Sequence, residues 1–436
     1  MSRFWRQNCV NAWPPQVAKR RSLDRYVKLD LFGPHFKANP YPTYATMRQA
    51  MPVYRRDAAN GKSIWFITRY DDVAALLRDH THFVKDVRNT MTPMERAQLP
   101  PTPPLVNLLS NHMLNLDPPD HTRLRTLVNK AFTAAVVQQM AGRVQDIADD
   151  LLDRVQARGR MDLIEDFAFP LPMTVIAELL GIPARDRARF RRWSDAFVTP
   201  SVNLQRSTKK YLKTRRLMED FTGYLRQVFA DRRQRPHNDL ISSLLAVEEA
   251  GDRLSEEELF SMMILLVVAG HETVVNLIGN GVLALLQHPA QLDRLRQQPG
   301  LIRNAVEESL RYDGPVERAT MRFAAEDVAV GGQTIRRGDA VSLVLAAADR
   351  DPAHFEHPNR FDLTRSNMRH LGFGLGIHYC LGAPLARLEG EIAFATLIRR
   401  LPDLRLAVAP EALVWRGVPI LRGVTGLPVH WNAGSV

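Results

Sequence analysis

The stretch from Leu254 to Leu286 constrains the fold more than any other part of the chain. It reads as one helix, opened by a capping box of Ser255 with Glu258 and stopped by Pro289 after His288. About thirty helical residues span roughly 45 Å, long enough to cross a whole domain. Its apolar residues fall on most faces, so it must run through the middle of whatever folds around it. It is too interrupted to span a membrane. At its centre lies Ala269-Gly270-His271-Glu272-Thr273, where two small residues open room beside the helix and a hydroxyl follows. One reading is a thin spot for helix packing, with Thr273 bonding back to its own helix. The other is room kept for chemistry next to that hydroxyl.

Cysteine usage narrows the chemistry. The chain has 2 cysteines, Cys9 and Cys380, which leaves no disulfide framework, no paired Cys-x-x-Cys centre and no four-cysteine zinc or iron–sulfur site. Cys380 sits in Phe373-Gly-Leu-Gly-Ile-His-Tyr-Cys380-Leu-Gly382. Glycines at 374, 376 and 382 let the backbone turn tightly and approach a ligand, and Phe373 can cover one side of the sulfur. A helix is expected just after it, with Pro384 in the first turn and an apolar stripe through Leu385, Ala386, Leu388, Ile392 and Ala393. Main-chain donors at that helix start favour a thiolate and tune a metal-bound sulfur. An inert buried cysteine in a Gly-rich loop fits the same spacing.

Two charged pairs stand out. Glu308 and Arg311, at i and i+3, share a helix face, a pattern that many surface helices also carry. His121 and Arg125 are four apart on a helix expected to start with Asp117 as cap and Pro118 in its first turn; ordinary surface placement is the alternative.

The cysteine segment resembles the haem-binding signature of the cytochrome P450 family, Phe-x-x-Gly-x-x-x-Cys-x-Gly, through Phe373, Gly376, Cys380 and Gly382. Ala383, Leu385, Ala386 and Arg387 resemble the soluble bacterial form. The resemblance implies that Cys380 is the proximal thiolate ligand of a b-type haem (iron protoporphyrin IX). It implies that the central helix crosses the other haem face, with Thr273 organising proton delivery during dioxygen activation, Glu272 its acidic neighbour and His271 turned outward. Glu308, Arg311 and Arg360, the last in Pro358-Asn-Arg360-Phe361, become a structural trio on the proximal side. His121, Arg125, Arg322 and His378 become donors to the haem propionates. The implied fold is mainly α with a smaller β region. The implied substrate pocket takes in the loop from Val87 to Met113, the segment from Phe197 to Leu204, Leu266, Ala269, Gly270, the stretch Val316 to Thr320, and the turn Pro419-Ile420-Leu421. Most of these are apolar and suit a hydrophobic guest. Glu317 and Arg318 depart from an apolar wall and are expected to pair elsewhere.

The implied function is a monooxygenase that inserts one oxygen atom of O2 into a hydrophobic small molecule, with electrons from NAD(P)H through a separate ferredoxin or flavodoxin and its reductase. Arg365, Arg369 and Arg387 are the expected docking residues for that acidic partner. A hydrogen-peroxide-driven peroxygenase is the alternative within the same cofactor, and a non-enzymatic haem gas-binding protein the alternative outside catalysis.

Composition agrees with this reading. The 436 residues are 45% hydrophobic, ample for a large core. The net charge of +11 comes from 58 basic residues spread among 47 acidic ones, without a basic run interleaved with aromatics, so nucleic acid is not an expected partner. Residues 1–28 read as a loosely ordered basic lead without a secretory signal or anchor, and 29–436 as one haem domain with no fused reductase. A cytoplasmic monomer is the expectation. Val53–Arg56 and Ser63–Thr68 read as strands joined by an Asn60-Gly61 turn, Asp71 as the cap of the next helix, Val87–Leu109 as a long loop, and Val316–Val344 as a second strand-rich patch.

Overall fold

The computed structural model describes residues 29–57, 61–102, 104–198, 208–248 and 251–433. The lead 1–28, Asn60, residues 199–204 and the side chains of Phe197 and Val198 lie outside that description.

Along the chain, α1 (Pro34–Ala38) and α2 (Tyr41–Ala50) lead into β1 (Val53–Asp57) and β2 (Ser63–Ile67), then α3 (Tyr70–Arg78) and β3 (Phe83–Val84). A helical half follows: α4 (Asp120–Ala131), α5 (Ala141–Asp153), then, after β4 (Arg160–Asp162), α6 (Pro170–Leu179), α7 (Arg187–Val198), α8 (Thr208–Gln234), α9 (Glu256–Gln287) and α10 (Ile302–Asp313). Strands return as β5 (Arg322–Ala324), β6 (Val328–Val330), β7 (Gln333–Ile335) and β8 (Ala340–Leu343), before α11 (Ala383–Arg400), β9 (Arg405–Leu406) and β10 (Pro428–His430). The larger sheet has the order β1-β2-β8-β5-β3, with β2 and β8 parallel and its other pairings antiparallel. Its hydrophobic layer is built on Trp65, Ile67, Val341 and Leu343, separate from the helical core.

The helix α9 organises that helical core. Both halves of the Ser255–Glu258 capping box are made, and Pro289 opens the next helix directly after the His288 cap. Among the described residues it is the helix long and apolar enough to cross a membrane, yet 72% of its most apolar window is buried inside the protein. It packs on α6, α10 and α11. A helix with no polar face needs neighbours all round, and these elements supply them.

Several local expectations are corrected. Asp117 does not cap α4, which starts at Asp120 behind Pro119; its carboxylate accepts instead from Lys85 N (2.7 Å), Asp86 N (3.0 Å) and Asn89 Nδ2 (2.8 Å). Three donors converging on one carboxylate outcompete a single helix N–H. Asp71 lies in the first turn of α3, with Arg69 in the cap position. The stretch 87–109 is not plain loop: it holds short helices at Val87–Thr90, Pro93–Ala97 and Pro104–Ser110, the second closed by a Thr92–Glu95 capping box. His271 is fully buried rather than outward, its ring edge-on to Phe169 at 4.5 Å and Nδ1 3.4 Å from Ser194 Oγ, because α7 covers that side of α9.

Candidate active site

One cavity, enclosing about 1490 Å³ of atom-free space with its open mouth included, lies between α9 and the cysteine loop. Leu266, Ala269, Gly270 and Thr273 line it from α9, one helix face at steps of three and four. His378, Cys380 and the start of α11 line the same cavity. Ala269 and Gly270 leave the helix thin where the cavity passes it.

The loop carrying Cys380 is shaped by backbone demands. Gly376 has φ +73°, and a Cβ there would stand 2.8 Å from Leu77 O and 3.0 Å from Arg78 Cα, so the loop presses backbone to backbone on the end of α3. Cys380 N donates to Phe373 O at 3.0 Å, which closes the loop. The N–H groups of Gly382 and Ala383, at the start of α11, donate to the sulfur; they oppose the rise in thiol pKa caused by burial.

One edge of the cavity is crowded with nitrogen. His121 and Arg125 reach it from α4, Arg322 from β5 and His378 from the cysteine loop. The rings of His121 and His378 are 4.3 Å apart. Both ring nitrogens of His121 and Nε2 of His378 are buried without a hydrogen-bond partner. Burial first, then His121, Lys85, Arg322 and Arg125, push His378 down to about 2. Burial pulls Arg322 to about 10, with Asp117 the opposing charge, and holds Lys85 well below the usual lysine range beside Arg322. Such a surplus of positive and donor groups around a hollow is the electrostatic complement of a ligand with two carboxylates. The residues present therefore fit a haem: a sulfur with main-chain donors, a largely apolar helix face lining the same cavity, and unpartnered donors beside them.

On the other side of Thr273 the chemistry is more guarded. Its Oγ1 donates to Ala269 O at 2.7 Å, so the back-bonded rotamer and the open helix face coexist. Glu272 is buried, and its Oε2 lies 2.9 Å from Arg416 Nη1. Arg416 was not singled out from sequence; it comes from the C-terminal segment, 144 residues away.

The proximal trio forms with a different third member. Glu308 and Arg311 pair through two bonds of 2.7 and 2.8 Å, both side chains fully buried. Arg365, not Arg360, completes the cluster, with Nε 3.1 Å from Glu308 Oε2. The Arg360 side chain is 62% exposed and contributes only its carbonyl, which accepts from Arg311 and Arg365. Arg365 is thereby withdrawn from the expected docking surface, where Arg369 remains exposed. Arg387 is held by Glu307 and stacks over Phe373 at 4.5 Å. Val316 lines the cavity, whereas Ile420 does not: it is 38% exposed, with its carbonyl bound by Glu317 N. Glu317 and Arg318 pair away from the cavity, with Lys37 and Tyr44. Lys85, Glu389 on the cavity floor and Arg416 are the site residues that sequence reasoning missed; the one signal available was a lone lysine directly after the apolar pair Phe83-Val84.

The family model for cytochrome P450 matches residues 35–402. The chain belongs to the cytochrome P450 family. It is 47% identical over 409 residues to the cytochrome P450 monooxygenase PikC of Streptomyces venezuelae, covering 93% of this chain and 94% of that one. The solved structure of PksS, a bacillaene polyketide synthase P450 of Bacillus subtilis 168, superposes with a TM-score of 0.85 at 43% identity, covering 93% of this chain and 100% of that one. A myxobacterial P450, CYP267B1 in complex with myristic acid, superposes with a TM-score of 0.83 at 45% identity, covering 92% and 98%. This P450 is an oxidoreductase of the monooxygenase type with haem as its cofactor.

Proposed function

We propose that residues 29–436 form one haem-thiolate monooxygenase domain that inserts an oxygen atom from O2 into a hydrophobic substrate, with Cys380 as the thiolate ligand. The carrying observation is that Cys380 and the Ala269–Thr273 face of α9 line one cavity that is also lined by unpartnered donors. When bound, the haem supplies the electron storage and O2 cleavage that side chains cannot. His121, Arg125, Arg322 and His378 bind its propionates and orient it. The Gly382 and Ala383 N–H groups hold the sulfur charge in place. Thr273 hands on protons at its Oγ1, which can leave the Ala269 carbonyl by rotation about χ1, and Glu272 passes protons from the Arg416 side. Leu266, Ala269, Gly270 and Val316 shape an apolar wall that excludes water and favours a hydrophobic guest, as the fatty-acid complex of the myxobacterial relative supports. Electrons from NAD(P)H arrive through a separate acidic ferredoxin or flavodoxin, and the protein works as a cytoplasmic monomer.

Cys380→Ser tests the reading. The reduced, carbon-monoxide-treated wild type is expected to show the red-shifted Soret band peculiar to thiolate haem, and the variant to lose it; a variant that keeps it rejects Cys380 as ligand. Turnover with NAD(P)H and ferredoxin, compared with turnover on hydrogen peroxide, separates the monooxygenase from a peroxygenase. The Glu272–Thr273 pair favours the former.

A further inference from the structure

We propose that Lys37 is a positioning residue for substrate binding: from α1, its ammonium locks the Val316 wall of the cavity to the Ile420–Arg422 turn through Glu317. This rests on the cavity being the substrate site.

Lys37 and Glu317 are 1% and 0% exposed, and Nζ lies 2.6 Å from Glu317 Oε2. The same ammonium donates to Leu421 O at 3.3 Å, so one charge grips both segments. The other carboxylate oxygen of Glu317 accepts from Tyr44 Oη (2.5 Å) and pairs with Arg318 Nη2 (3.0 Å). Main-chain bonds interlock the same two segments: Glu317 N donates to Ile420 O and Arg422 N to Pro315 O, both at 2.9 Å. Arg422 Nη1 closes the ring on Lys37 O at 2.6 Å.

Val316 pairs with Leu421 in an isolated bridge, and in extended chain neighbouring side chains point to opposite faces. Val316 therefore faces the cavity and Glu317 the anchor behind it. The wall's position is set from the rear. A well-packed apolar cluster of similar volume is often as stable as a buried ion pair, so stability alone gives no reason for these charges; a single register does. Here the register is that of Pro315 to Thr320, the segment that presents Val316, Ala319 and Thr320 to the cavity.

The test is Lys37→Met in the haem-loaded protein, probed by Soret titration with two azoles. Imidazole needs only the iron; clotrimazole carries three aryl rings that must fit the walls. If the wall is in place in about a tenth of the variant molecules, clotrimazole affinity falls about tenfold while imidazole affinity and the carbon-monoxide band stay unchanged. Lys37→Arg is expected to restore most of the difference. Equal weakening of both azoles, or no change in either, overturns the proposal. Absence of any azole shift in the wild type would instead reject the haem reading. Amide hydrogen exchange over 315–321 then decides the clamp alone, faster exchange in Lys37→Met supporting it and equal exchange overturning it. Should Lys37→Met fail to accumulate, Tyr44→Phe, which removes one hydroxyl from Glu317, carries the same comparison.

Discussion

The Thr273 hydroxyl bonds to its own helix while facing the cavity, so its removal separates packing from proton delivery. Thr273→Ala is expected to leave haem content and substrate affinity near wild type, since alanine is the better helix former. Product formed per NAD(P)H should drop and hydrogen peroxide rise, whereas Thr273→Ser keeps most of the coupling; unchanged stoichiometry in the alanine variant would make the hydroxyl structural. The proximal cluster offers a second contrast between single residues. Arg365→Leu leaves Glu308 paired with Arg311 but removes its second cation and the donor to the Glu356 and Arg360 carbonyls, a loss of about 1.5–3 kcal/mol. Arg360→Leu removes an exposed side chain and keeps the main-chain carbonyl that accepts from Arg311 and Arg365, and should cost within about 0.5 kcal/mol. Thermal unfolding and haem content measured on both variants check the assignment.

At the level of elements, α9 carries chemistry on one face and a buried histidine on another. Burial, aided by Arg416 and Arg191, pushes His271 down to about 3, against an ordinary value of 6.5. Between those values the unfolded chain binds more protons than the folded one, so stability falls as pH drops from about 6.5 towards 3, by up to about 1.4 kcal/mol per pH unit for this group. His112, pushed to about 4 by burial, adds a loss of the same sign over a narrower window. Denaturant unfolding at pH 5 and pH 7 is expected to show a smaller difference in His271→Leu than in wild type. An equal difference would mean that the imidazole titrates in the fold as it does in the unfolded chain.

For the whole molecule, the +11 charge is less available than its size suggests. Many arginines are paired at the surface, among them Arg143 with Glu178, Arg189 with Asp220 and Arg400 with Asp153. On the proximal side, Arg365 and Arg387 are engaged inward, which leaves Arg369 as the exposed member of the expected docking set. If an acidic ferredoxin docks there, its apparent KM should rise as ionic strength goes from 0.01 to 0.1 M and the Debye length shrinks from about 30 to about 10 Å. Arg369→Glu should raise that KM further with little change in kcat, whereas Arg387→Glu should lower haem content by breaking the Glu307 contact. A KM indifferent to both salt and Arg369 would place the partner elsewhere.

The sequence by itself determined what depends on neighbours along the chain. The capping box and proline stop of α9, the two strands at 53–57 and 63–67, and the glycine-bounded cysteine loop are all short-range patterns whose physics is complete within a few residues. A family signature extended that reach to the fold class and to the face of α9 that lines the cavity. Only the tertiary structure decided which distant charge completes each pair. Arg360 and Arg365 stand five residues apart in one irregular segment, and nothing local says which turns inward to Glu308. Asp117 looked like a cap until the chain brought the N–H groups of Lys85 and Asp86 to it. Arg416 reaches Glu272, and Lys37 reaches Glu317, across 144 and 280 residues. A buried charge takes whichever partner the packing delivers, and packing is a property of the folded chain rather than of any window along it.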